Sequence, residues 1–259
     1  MSDKNTLVIS SASQLLDGKT RRDFIRLMGV GGAAIFLPSV LTSCSDDDDI
    51  DGGIDGGPIG PPNSGAPVVV DFAKGDIAII QFAYALEQLE ADFYTRVVAN
   101  MSGFPAADQG ILGDVKNHEV IHREAFKIIL TPANDFTLNT NYGNLNFADR
   151  TSVLVTARTF EDLGVAAYNG AAQYITNGAN LLLAGKIVSV EARHAAAIRD
   201  LIAPKSGSQG DGGTSFAPKA FDDAFRPSKV AAAAQPFIVE RVTLNNAPAT
   251  FVQGPNNNG

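Results

Sequence analysis

FEDLGVAAYNGAAQYITNGANLLLAGKIVSVEARHA, residues 160–195, decides the fold. Within it stand Glu161, then Tyr168 seven residues later, then the tetrapeptide Glu191-Ala192-Arg193-His194. An earlier copy of the same layout exists: Glu87, Tyr94 seven residues on, then Glu119-Val120-Ile121-His122. From the first Glu to the Glu-x-x-His is 32 residues in the first copy and 30 in the second. Each copy reads as a helical hairpin carrying acid, tyrosine, acid and histidine in that order. Residues three, four and seven apart share one face of an α-helix. The stripe through Glu87 is Ile80, Ala83, Glu87, Ala91, Tyr94 and Val98, and that through Glu119 is Leu112, Val115, Glu119, His122, Phe126 and Ile129. The third is Leu154, Ala157, Glu161, Gly164, Tyr168, Ala171 and Ile175, and the fourth Ala184, Ile187, Glu191, His194, Ile198 and Leu201. On all four the ionisable residues interrupt an apolar face, so they point inward.

Four inward carboxylates cannot sit uncompensated in a core, because each buried charge costs several kcal/mol and like charges at close range add repulsion. Two divalent cations would bring four positive charges against the four glutamates, with neutral imidazoles completing the coordination. The competing reading is an apo core in which the same polar groups hydrogen-bond to one another. A single Glu-x-x-His arises often by chance. Two copies, each about 31 residues after an inward Glu that heads a Glu-x6-Tyr, favour metal.

The arrangement resembles the ferritin-like di-metal carboxylate proteins, in which two helices each supply a Glu and the other two each supply a Glu-x-x-His. The resemblance covers roughly residues 74–203 and fills all six ligand positions in order. LEQLEADFY (residues 86–94) and FEDLGVAAYNGAA (160–172) are similar to a bacterial branch of that family related to desiccation-associated proteins. The resemblance implies Glu87 and Glu161 as terminal ligands, Glu119 and Glu191 as bridges between two metals, and His122 and His194 as caps on one metal each. Tyr94 and Tyr168 are candidates for orienting the ligands. Against a redox-relay role, two amphipathic core residues at helical spacing are more often packing plus one hydrogen bond. His118 is about 100° around the helix from Glu119, which places it at the rim. Glu90, Asp92, Glu124 and Asp162 are expected on helix flanks, Glu90 being the one most able to reach the site as an extra ligand.

Residues 1–43 read as a signal peptide. TRRDFIR (residues 20–26) resembles a twin-arginine export signal, and the apolar run after it, about fifteen residues long with Pro38 inside, is too short to span a bilayer comfortably. Residues 41–44, LTSC, resemble a lipobox that would make Cys44 the lipidated first residue of a mature, membrane-tethered lipoprotein in the periplasm or on the cell surface. Cys44 is the single cysteine, so no disulfide is expected. Twin-arginine export carries folded proteins, which suits a metal chosen before export. Residues 44–72 form a linker rich in Asp, Gly and Pro with little to bury. Six acidic residues lie between Ser45 and Pro67, so the net charge of −8 says little about the folded part. The acidic run resembles surface-export signals of some lipoproteins and lacks the closing Glu of a calcium loop. No basic patch stands out, which argues against nucleic acid as a partner.

The expected fold is all-α: a ferritin-like four-helix bundle over residues 73–203, with a long crossover between the second and third helices. The first helix should start near Lys74 to Asp76 and end before Ser102. The second should stop at Thr131-Pro132, and ANDFTLNTNYGNLN (133–146) should cross the bundle. Gly164 and Gly170 are expected to allow a close helix approach. The C-terminal extension, 204–259, starts with the flexible KSGSQGDGGTS, then carries a short helix near 228–235 and the aromatic residues Phe221, Phe225 and Phe237. These should pack back on the bundle or form a surface for homo-oligomerisation, with the last residues disordered.

A carboxylate-rich site with two imidazoles suits iron or manganese. The resemblance implies redox chemistry with peroxide or dioxygen, either catalase-like disproportionation or Fe(II) oxidation. Rubrerythrin-like peroxidases add an iron domain held by four cysteines, which one Cys rules out here. A lipid anchor and long tail sit badly with a closed storage shell. The alternative is a non-catalytic envelope protein, stress-protective or adhesive, that keeps the fold as a scaffold, since fold alone does not license activity.

Overall fold

The structure, a computed structural model, describes residues 66–204, 216, 218–219 and 221–249. The signal peptide, Cys44 and most of the linker lie outside the described residues. In chain order the elements are strand β1 (Val68–Asp71), α1 (Asp76–Asn100), α2 (Ala106–Asn134), α3 (Arg150–Ala171), α4 (Gly178–Ile202), α5 (Pro227–Ala234) and strand β2 (Val242–Asn245). Helices α1 to α4 form the bundle, with α1 packed along α2 and α3 along α4. None of the described helices is long and apolar enough to cross a membrane.

Local chemistry sets the ends of these helices. Thr131 takes a left-handed φ of 58° just before Pro132, so the long run of α2 ends there, followed by one last turn. Asp149 caps α3 by accepting from the Thr151 N–H, and Asn177 caps α4 by accepting from the Ala179 and Asn180 N–H groups. Asp76, in the first turn of α1, accepts from the backbone N–H groups of Thr176 and Asn177, from the Thr176 hydroxyl and from the Asn180 amide. The turn of the second hairpin is thereby tied to the start of the first.

Between α2 and α3 the crossover lies on α1. Leu138 N–H donates to Gln88 Oε1 at 3.0 Å, and the Tyr142 hydroxyl donates to the Leu89 carbonyl at 2.9 Å. Its outer side is held by the C-terminal extension: the buried Glu240 carboxylate accepts from Asn139 N–H and from the Asn139 side-chain amide, at 2.8 and 2.6 Å. The extension therefore packs on the bundle through the crossover. Phe237 is buried and Phe225 half-buried, whereas Phe221 stays 75% exposed, so the three phenylalanines do not move inward together.

Two local features depart from the sequence reading. Residues 68–71 are not linker but strand β1, pairing in parallel with β2 from Val68↔Val242 to Asp71↔Asn245. Val70 is fully buried as a result. Gly170 does not face another helix of the bundle: a Cβ there would stand 1.9 Å from the Phe225 carbonyl oxygen, because the extension crosses α3 at this point and Phe225 N–H donates to the Ala166 carbonyl. A Cβ at Gly164 would meet the carboxylates of Glu90 and Glu191, at 3.3 and 3.4 Å. Both glycines are sites of close approach, one to the tail and one to the polar centre.

Candidate metal centre

Each helix of the bundle brings its acid to one level. Glu87, Glu119, Glu161 and Glu191 are 0% exposed, and His122 and His194 are 8% and 5% exposed. Ligand atoms of Glu87, Glu119, His122 and Glu191 lie within 4.8 Å of one another, as do those of Glu119, Glu161, Glu191 and His194. The two groups share Glu119 and Glu191. His122 Nδ1 lies 3.1 Å from Glu191 and 3.4 Å from both Glu87 and Glu119. His194 Nδ1 lies 2.8 Å from Glu119 and 3.3 Å from Glu161.

These short distances do not make a hydrogen-bonded network. Glu87 Oε2, Glu161 Oε2, both carboxylate oxygens of Glu119 and of Glu191, and the Nδ1 atoms of both histidines have no hydrogen-bond partner. They converge on shared points instead of on one another. Buried polar atoms without partners are costly, and eight of them in one place match the donor set of two oxygen- and imidazole-liking cations. The described residues could therefore hold metal ions.

The outward-facing carboxylate oxygens are satisfied, and the tyrosines do it crosswise. Tyr94 on α1 donates to Glu161 Oε1 on α3 at 2.5 Å, and Tyr168 on α3 donates to Glu87 Oε1 on α1. Each tyrosine serves the acid of the opposite copy. Both phenols are buried, and burial beside carboxylates pushes their pKa well above the ordinary value, which keeps them hydrogen donors.

Without metal the charges compensate one another incompletely. Burial pushes Glu87 up to about 7 despite the nearby His122, and raises Glu161 and, strongly, Glu191. Burial alone would lower both imidazoles, but the surrounding carboxylates outweigh it, holding His194 up at about 9 and His122 at about 12. Glu119 lies between both histidines, which overcome its desolvation and pull it down to about 2.

Two residues at the margins of the sequence reading are drawn in. Glu90 is 3% exposed, and burial together with Glu191, Glu119, Glu161 and Glu87 raises its carboxyl far above the ordinary range. It is interior because α1 is buried on nearly every side, with Gln81, Gln88 and Glu90 inside along with its apolar stripe. His118 is exposed as expected of a rim residue, yet its Nδ1 lies 2.9 Å from His194 Nε2 with the rings stacked at 5.1 Å. His194 thus turns one nitrogen to the carboxylates and the other to His118. Asp162 and Glu124 lie on flanks, paired with Arg199 and Arg123.

A family model described as a ferritin-like domain matches residues 75–204, which span α1 to α4 and every residue of this centre. The chain belongs to the ferritin-like family. Among curated proteins no match was found. The ferritin-like domain accounts for the bundle and its polar centre, while β1, α5 and β2 lie beyond the matched span.

Proposed function

We infer that the protein holds a di-iron or di-manganese centre and uses it for redox chemistry with peroxide or dioxygen, by catalase-like disproportionation or oxidation of Fe(II). The observation that carries this reading is the pair of buried four-residue groups sharing Glu119 and Glu191, with their inward atoms unpartnered. Glu119 and Glu191 would then be shared by two ions, with Glu87 and His122 completing one position and Glu161 and His194 the other. Such a pair of ions, once bound, supplies electrons one or two at a time to an oxygen substrate. The chain's own part is to fix the carboxylates through Tyr94 and Tyr168, to fix His194 through His118, and to exclude water by burial. The reading includes membership of the branch related to desiccation-associated proteins and, from the resemblance of residues 20–26 to a twin-arginine signal and of 41–44 to a lipobox, export to the cell envelope on a lipid at Cys44.

Elemental analysis of protein purified without added metal tests the reading first. About two ions of iron or manganese per chain are expected, with turnover of peroxide or of Fe(II) that Glu87→Ala and His194→Ala abolish while helicity is kept. Less than about a tenth of an equivalent, with failed reconstitution, would overturn the metal centre. Two bound ions without turnover in any condition would leave them a structural role in a scaffold protein.

A further inference from the structure

The two halves of the centre repeat one layout of Glu, Tyr, Glu and His, but their surroundings differ. Beside Tyr94 the space is filled by rings: Phe93 stands edge-on to Tyr94 at 5.0 Å and to Phe160 at 5.1 Å, and Phe160 stands edge-on to Phe237 at 4.8 Å. Beside Tyr168 there is instead a cavity of about 30 Å³, lined by residues that include Ile80, Ala83, Phe126, Tyr168, Asn180 and Leu183. Helix register places it. Ala83 is four residues before Glu87 and Phe126 four after His122, so one helical turn, about 5 to 6 Å, separates the cavity from those ligands. Tyr168 closes it on the side of the centre, with its hydroxyl bonded to Glu87.

Size and chemistry select the occupant. A water needs roughly 10–15 Å³ of such space and two or more polar partners, and apolar cavities stay dry and accept apolar guests. This one has room for a two-atom guest and presents carbon on almost every side. Water and hydrogen peroxide would lose hydrogen bonds on entering it. The half-buried Asn180 and Leu183 stand at its outer edge. A different flank, at His194, is polar and leads to the exposed His118. We propose that the cavity is a dioxygen-binding site serving the metal position of Glu87 and His122, with Tyr168 standing between guest and ligands. The proposal rests on the redox reading of the centre.

Dioxygen itself is the probe. In the full chain loaded with zinc, a diamagnetic ion, methyl NMR under dioxygen pressure should show stronger paramagnetic relaxation at Ile80, Ala83 and Leu183 than at the exposed Ile128, and Ala83→Phe should abolish the excess. Relaxation at the cavity methyls no greater than at Ile128 overturns the proposal. In protein loaded with Fe(II), Ala83→Phe should slow oxidation by dioxygen and leave oxidation by hydrogen peroxide unchanged. Equal slowing of both, or of neither, overturns the link to the metal. Ala184→Leu, from the same lining, serves if the Phe variant does not fold. A wild type silent to both oxidants would sink the redox reading, while the relaxation experiment still decides whether dioxygen occupies the cavity.

Discussion

Replacing Tyr94 by Phe removes one hydroxyl and keeps the ring that packs on Phe93. The lost O–H donates to Glu161 Oε1 at 2.5 Å, and Tyr94 is 0% exposed, so no bulk water can take its place. A hydrogen bond to a charged acceptor contributes about 1.5–3 kcal/mol. Its effect should appear mainly in metal binding. Burial already raises the Glu161 carboxyl, and the Tyr94 hydroxyl works against that rise, so the variant has a Glu161 that is protonated more readily and must shed a proton to receive a cation. At about 1.4 kcal/mol per factor of ten, affinity at the Glu161–His194 position should fall roughly 10- to 150-fold. That range overlaps the 10–100-fold typical of groups that orient metal ligands. The assay is anaerobic competition of Fe(II) or Mn(II) against a chelator at fixed pH, with far-UV circular dichroism confirming the helices. Affinity within twofold of wild type, in a background where Glu161→Gln does lose metal, would refute the reasoning and leave Tyr94 a packing residue.

In the metal-free protein, thermal stability should fall as pH rises from 5 to 9. Glu87 is raised to about 7 and His194 and His122 to about 9 and 12, so their contributions are complete below the ordinary values and are lost as pH climbs through the raised ones. A drop in Tm of at least about 3 °C, absent once metal is bound, is expected by calorimetry, and a flat or rising profile contradicts it. His118→Ala should weaken metal at the His194 position by about tenfold, and His118→Gln should restore part of it by again bonding His194; titration of both variants distinguishes positioning from general destabilisation. Gly170→Ala should gain up to about 1 kcal/mol of helix propensity but lose about 1–3 kcal/mol to the collision with the Phe225 carbonyl. Limited proteolysis should then cut faster around Phe225 with metal content unchanged; a variant as resistant as wild type would mean that the tail is not held there.

The bundle and the six candidate ligands were legible because the signal is local. Helical periodicity is a property of neighbours in sequence, and acids that interrupt an apolar stripe must be inward whatever the helix packs against. Thr131-Pro132 likewise marks a helix end through its own backbone chemistry. The remainder depends on which distant segments meet. No period reveals that Tyr94 serves Glu161 and Tyr168 serves Glu87, since both partners lie on another helix. Glu90 reads as a flank residue until α1 is seen to be enclosed, and β1 reads as linker until β2, which follows the whole bundle in sequence, pairs with it. Of the two Glu-Tyr-Glu-His repeats, the one with Tyr94 acquired a wall of aromatic rings, because Phe237 and the crossover's Tyr142 and Phe147 pack around Phe93 and Phe160, whereas among the described residues Tyr168 has Phe126 stacked on it and a cavity alongside. The candidate ligands were determined by sequence alone; the asymmetry between their two sides arises only in the tertiary structure, because packing density is settled by contacts between segments far apart in the chain.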